Sequence, residues 1–192
     1  GEKGIIGLLS DRAGKPLHLL HRLDRNVGGV MVFANNKKSA GILSKDIAEG
    51  GFFKEYLAVT DGIPEKDSGV YKDLLFKDSQ KNRSYVVKRI RKGVKEASLE
   101  YKVLKNNDEK ALVRVLLHTG RTHQIRVQFA SRKTPLTGDI KYGSRDRTTG
   151  DIALHSYAIS FYHPVTKEKL SFVSCPEMND YPWNTFGDVL NA

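Results

Sequence analysis

Two strand-forming runs joined by a polar turn constrain this chain more than any other feature. Leu99-Glu100-Tyr101-Lys102-Val103-Leu104 and Ala111-Leu112-Val113-Arg114-Val115-Leu116 flank Asn106-Asn107-Asp108. Branched and aromatic residues fit a pleated surface and Asn/Asp fit the turn, so the segment predicts a β-hairpin. An isolated hairpin is marginal in water and needs further strands or a helix to cover it. The chain offers both. Residues 30–34, a continuous apolar run, predict a buried strand. Residues 52–59 predict another, with Phe52, Lys54, Tyr56 and Ala58 on one face and Phe53, Glu55, Leu57 and Val59 on the other. Thr60-Asp61-Gly62 reads as a turn. A second block of sheet begins near Ser84, and residues 152–161 and 170–174 read as late strands.

Helical signals are fewer. Asn35 and Asn36 offer caps, Ala40, Leu43 and Ile47 follow at helical spacing, and Gly50-Gly51 ends the element. After Gly120 a short helix is predicted over residues 122–131, with Ile125 and Phe129 as its apolar stripe and Arg126 on a different face with His123 and Ala130. Strands outnumber helices and the connections are short. The fold class is therefore α+β with a mostly antiparallel sheet, in one domain over residues 1–192.

Charge narrows the function. Lys and Arg number 32 against 22 acidic residues, for a net charge of +10. Such a surplus attracts polyanions through phosphate neutralisation, so nucleic acid is the expected partner. No apolar stretch approaches the roughly 20 residues of a membrane-spanning helix. The stretch Gly1-Glu2-Lys3-Gly4-Ile5-Ile6 is too short and mixed for a signal peptide. Cys175 stands alone, which rules out an internal disulfide and a cysteine-rich zinc site and fits a cytoplasmic setting.

Four clusters could carry chemistry. His21-Arg22-Leu23-Asp24-Arg25-Asn26 places a carboxylate between two cations just before an apolar run, and opposite charge favours its ionised form. It reads either as a nucleophile or base or as a structural surface ion pair. In Lys54-Glu55-Tyr56, Tyr56 shares a strand face with Lys54, which suits base stacking with a phosphate contact, or a core tyrosine beside an edge charge. In His118-Thr119-Gly120-Arg121-Thr122-His123-Gln124-Ile125-Arg126, a helix start carries Arg121 and His123 as candidate anion contacts. The two histidines have no carboxylate or cysteine beside them, so no metal site is expected. Residues 81–95 hold Arg83 among seven cations with no acid between them, a phosphate-gripping strip or a solvated loop.

Taken together and in order, these words resemble a known family. His21-Arg22-Leu23-Asp24, Lys54-Glu55-Tyr56-Leu57-Ala58, Thr119-Gly120-Arg121-Thr122-His123-Gln124-Ile125-Arg126-Val127 and Pro135-Leu136-Thr137-Gly138-Asp139 with Tyr142-Gly143 resemble the motifs of RNA pseudouridine synthases of the RluA family. Leu154-His155 and His163-Pro164-Val165-Thr166 match its C-terminal strand pair. The resemblance implies a pseudouridine synthase-like α+β domain with an antiparallel or mixed sheet, flanking helices and a central RNA-binding cleft. It implies an isomerase that converts a uridine of ribosomal RNA, or of transfer RNA, to pseudouridine without metal or organic cofactor. Asp24 takes the place of the essential carboxylate, Arg126 that of its arginine partner, and Tyr56 that of the tyrosine packed on the base. Arg22, Arg25, Lys54, Arg83, Arg121 and His123 are the expected RNA contacts. A cytoplasmic monomer is expected, without a separate N-terminal RNA-binding domain and without the family's usual first strand. The wording departs at Val27-Gly28-Gly29, where Thr-Ser-Gly is usual. The competing expectations are a non-catalytic RNA-binding or ribosome-assembly module, and a phosphodiesterase built on His118 or His123.

Overall fold

The hairpin expected around Asn107 forms the centre of the sheet. In a computed structural model, which describes residues 4–190, β7 (Val94–Asn106) and β8 (Lys110–Leu117) pair antiparallel. The Asn107 side-chain carbonyl accepts the backbone N–H groups of Glu109 and Lys110, which closes the turn. β4 (Phe53–Asp61) pairs with β8, and β9 (Leu154–Tyr162) with β4. β10 (Lys169–Val173) closes that edge. On the other side lie β5 (Ser68–Asp78) and β6 (Arg83–Val87). The order is β10-β9-β4-β8-β7-β5-β6, antiparallel throughout. β2 (Gly28–Gly29) adds a parallel pairing, against β9, the one such pairing among the described residues. The sheet is therefore mixed, as expected, although β5 was not foreseen as a strand.

Both faces of the middle strands are covered. Tyr56 and Ala58 of β4 join Leu99, Val113 and Val115 beneath Ile125 and Phe129 of α3 (Gln124–Ala130). Leu57 and Val59 face the opposite way, against Leu112, Trp183 and Phe186. Strict alternation along β4 thus feeds two cores. A third cluster seats α2 (Lys37–Glu49), whose Leu43 packs on Phe52, Ile159 and Phe161 with Ala40 and Ile47 beside it. Asn36 caps α2 through the Ser39 N–H at 2.8 Å, and Gly50 ends it at φ 84°.

Two expectations need correction. Residues 30–34 are not one strand. Only Phe33–Ala34 form a strand, β3, which pairs with β1 (His18–Leu19) in a separate two-stranded sheet, while residues 30–32 carry the chain to it from β2 on the main sheet. The apolar run signals burial, but it crosses between two sheets rather than extending one. The helix expected over 122–131 is shorter, because His123 at φ 53° sets its start and Ser131 its end. A further helix, α1 (Ile5–Ala13), precedes β1; its N-cap Gly4 makes no side-chain hydrogen bond, so no local capping signal marks its start. Residues 1–3 of the mixed N-terminal stretch lie outside the described residues.

The departure from the family wording reaches β2 at Gly28 but not at Gly29, and the two glycines differ. A Cβ on Gly29 would stand 2.2 Å from the Ser156 carbonyl oxygen, at φ 112°. A Cβ on Gly28 would meet only the His155 ring, at 3.5 Å. Gly29→Ala is therefore expected to destabilise the protein by about 1–3 kcal/mol or more. Gly28→Ser is expected to stay within about 0.5 kcal/mol of the parent. Urea unfolding of both variants checks this, and equal midpoints would contradict it.

Candidate active site

The loop between β1 and β2 is held at both ends, and Asp24 lies between the anchors. Upstream, the Val32 N–H donates to His21 Nε2 at 3.2 Å, which fixes the ring. Downstream, the Val27 N–H donates to the Asp24 carbonyl at 3.1 Å and Gly28–Gly29 pair with β9. Leu23 and Val27 pack against the central core. The Asp24 side chain remains 26% exposed at the floor of a 460 Å³ cleft. That volume lies in the range of a small-molecule site and admits one nucleotide base.

Arg126 organises the cleft floor. Its Nη1 donates to Asp24 Oδ2 at 2.9 Å. Its Nε and Nη2 donate to the two oxygens of Asp139 at 2.7 and 2.9 Å. Asp139 is 1% exposed and Arg126 6%. Burial works against the charged guanidinium, but the Asp139 and Asp24 carboxylates outweigh it and hold the Arg126 pKa above its ordinary value. Asp139 stands within the Pro135-Leu136-Thr137-Gly138-Asp139 motif. Its Gly-Asp wording carries no mark that the side chain would be buried against Arg126.

The wall of the cleft comes from β4. Tyr56 and Lys54 both line it, as the shared strand face required. Burial first, and the Asp24 charge with it, push the Tyr56 phenol up to about 12 against an opposing hydrogen bond with Ser156. Tyr56 is therefore a neutral, flat group at pH 7. Lys54 is 9% exposed and burial lowers its pKa. Its Nζ fits where Gly120 has no side chain, 3.2 Å from the site of a Cβ.

The remaining expected contacts divide. Arg22, Arg121 and His123 line the cleft. Arg121 is fixed by its Nε donating to the Glu96 carbonyl at 2.8 Å. Arg25 sits in an exposed turn off the cleft lining. Among the described residues no ion pair joins Arg22 or Arg25 to Asp24; that partner is Arg126. Adjacent side chains on an extended loop diverge, so sequence neighbours were the wrong place to look. Arg83 lies outside the cleft lining, with its guanidinium 5.1 Å above the Tyr142 ring. His118 is exposed beside Glu100 at 3.7 Å, while His123 is buried beside Asp24 at 3.9 Å. Exposed Lys88, Arg89, Arg91 and Lys92 occupy the connection from β6 to β7.

Two outcomes follow from this geometry. Arg126→Leu leaves Asp139 buried without its cation and is expected to cost about 3–5 kcal/mol in urea unfolding. Adding Asp139→Asn should recover part of that loss. A single-variant cost under about 1 kcal/mol would contradict the arrangement. Burial, with the Lys54 charge, lowers the His21 pKa from 6.5 to about 4. Below pH 6.5 the unfolded chain gains a proton that the folded one refuses. The His21 contribution is therefore complete above 6.5 and lost as pH falls towards 4, at up to about 1.4 kcal/mol per pH unit. His21→Asn should flatten that part of the stability profile.

Known proteins place this cleft in context. Residues 6–131 match the family model described as RNA pseudouridylate synthase. An uncharacterized RNA pseudouridine synthase of Bacillus subtilis is 34% identical over 152 residues, covering 78% of this chain and 49% of the relative. The ribosomal large subunit pseudouridine synthase C of Buchnera aphidicola is 32% identical over 163 residues, covering 80% and 51%. The chain thus spans about half the length of these relatives. Among solved structures, human RNA pseudouridylate synthase domain containing 4 aligns with a TM-score of 0.72 at 25% identity, over 91% of this chain and 77% of that one. Human RNA pseudouridylate synthase domain containing 1 shares the fold with a TM-score of 0.75 at 23% identity, over 92% and 75%. With the family model covering most of its length, the chain belongs to the RNA pseudouridylate synthases of the RluA type.

Proposed function

We propose that this chain isomerises a uridine in structured RNA to pseudouridine, with Asp24 as the essential carboxylate. The observation that carries this reading is the Arg126 bridge. It holds one Asp24 oxygen at 2.9 Å on the floor of a cleft sized for a base, with the Tyr56 phenol on the wall. A surface ion pair needs no buried Asp139 behind it, whereas a reacting carboxylate gains from a fixed position.

In the reaction the bond from uracil N1 to the sugar breaks and a bond from C5 to the same sugar carbon forms. C5 loses a proton and N1 gains one, so nothing is oxidised and nothing is added. Turning the base requires its removal from the RNA stack, at a cost of a few kcal/mol. Stacking on Tyr56 offsets about 1–3 kcal/mol of that. Because Tyr56 keeps its proton at neutral pH, its resting contribution is surface rather than base. Arg22 and Arg121 on the cleft rim, with Lys54 inside, meet the flanking phosphates.

Ribosomal RNA is the favoured substrate, with transfer RNA the other family class. The ribosomal name of the Buchnera relative supports that preference. The same reading describes a cytoplasmic monomer that needs no metal or organic cofactor.

The test is tritium release from RNA labelled at uracil C5. Wild-type protein should release label in proportion to pseudouridine formed, and Asp24→Ala should release none above background. Equal release from both would remove Asp24 from the role. Arg126→Ala should cost far more turnover than Lys92→Ala, since Arg126 touches the carboxylate and Lys92 shares a screened, distributed charge. RNA binding without turnover on any cellular RNA would instead indicate a non-catalytic module.

A further inference from the structure

His123 stands at φ 53°, a left-handed conformation that glycine or asparagine adopts with less strain. The position nonetheless holds an imidazole only 9% exposed. Its Nδ1 is 2.9 Å from the Tyr142 hydroxyl, and that hydroxyl accepts the Ser84 N–H at 2.8 Å. The Tyr142 hydroxyl still has its own proton to place, and among the described residues Nδ1 is the one acceptor within hydrogen-bond distance, so the hydroxyl donates to Nδ1. A neutral ring then carries its hydrogen on Nε2. Nε2 faces Asp24 Oδ1 at 3.9 Å, the oxygen that Arg126 leaves free.

We propose that His123 is a positioning residue for Asp24, locked by Tyr142 in the tautomer whose Nε2–H points at the free carboxylate oxygen. The inference rests on Asp24 being the reacting carboxylate. A loop shift of about 1 Å brings that N–H to hydrogen-bond length, and the carboxylate is then held at both oxygens from two directions. The ring cannot serve as a base for the Asp24 side, because its lone pair is already occupied by Tyr142.

The surroundings agree with a neutral ring. Burial lowers the His123 pKa first; Asp24 and Asp139 oppose this, and Arg126 and Lys141 add to it, with a net lowering. Tyr142 completes the polar groups facing the ring, and Arg83 and Arg126 lie 5.1 and 5.0 Å from the Tyr142 ring centre. A doubly protonated imidazole would leave the Tyr142 hydroxyl proton without its acceptor.

Long-range proton–nitrogen correlation on histidine-labelled protein at pH 7 reads the tautomer directly. The expected result for His123 is a bare Nδ1 and a protonated Nε2, with that preference lost in Tyr142→Phe. His123→Asn suits the left-handed backbone. It should lower kcat about tenfold, the worth of one hydrogen bond to a charged group, while KM stays within about twofold. Tyr142→Phe should fall between it and wild type. A proton on Nδ1, a doubly protonated ring, or unchanged kcat in His123→Asn overturns the proposal. Inactive wild-type protein with the expected tautomer would overturn the isomerase reading instead, so the two failures are distinguishable.

Discussion

One guanidinium shared between two carboxylates is the interaction on which the rest of the site depends. Asp139 takes the Nε and Nη2 edge of Arg126, and Asp24 takes Nη1. The division suits the chemistry of arginine. Its planar fork offers a bidentate edge to one acid and still has a donor for another, which a lysine point charge could not do in fixed directions. Asp139 offsets the cost of burying the cation, so Asp24 need not be buried to keep its partner. That is why Asp24 can stay 26% exposed in a cleft and yet be oriented.

Asp139 is in turn fixed by backbone and by a second polar network. Its segment is held to the sheet by the Thr137 N–H on the Val59 carbonyl at 2.8 Å and the Ala153 N–H on the Thr137 carbonyl at 2.9 Å. Asp61 accepts from Thr137 Oγ1 at 2.7 Å and from Ser144 Oγ at 2.5 Å, and Lys110 joins Asp61 to Asp146. Burial acts against Asp61, but these donors outweigh it and lower its pKa. The site is therefore supported from β4 and β8 outward, not from the loop that carries Asp24.

Sequence carried the elements whose signal is local. The hairpin at Asn107, the Asn36 cap and the Gly50 stop are each set by a few adjacent residues, and all three form. The two faces of β4 were legible because a period of two needs no knowledge of partners. Local reasoning on Asp24 left structural and chemical roles open, since its partner is 102 residues away. The family wording brought Arg126 to it. Asp139 and Tyr142 went unassigned for the same reason, as burial and a shared partner are properties of the assembled fold. Residues 30–34 show the opposite limit: apolarity alone says that a segment is buried, not which sheet it serves.

At Val27-Gly28-Gly29 the three positions are under different physical constraints. Gly29 is demanded by geometry, because its backbone lies against Ser156 with no room for a Cβ. Gly28 is not so constrained, and a serine there would face the His155 ring at ordinary contact distance. The hydroxyl missing at position 28 therefore belongs to the junction of β2 with β9 rather than to the floor of the cleft. Val27 trades its own hydroxyl for packing on the central core. Neither change touches the Arg126 bridge, so the freedom of the loop is confined between the His21 anchor and β2, with Asp24 as the one acidic group inside it. A displacement of about 1 Å in that short span is enough to bring Asp24 to His123 without disturbing α3, which carries Arg126.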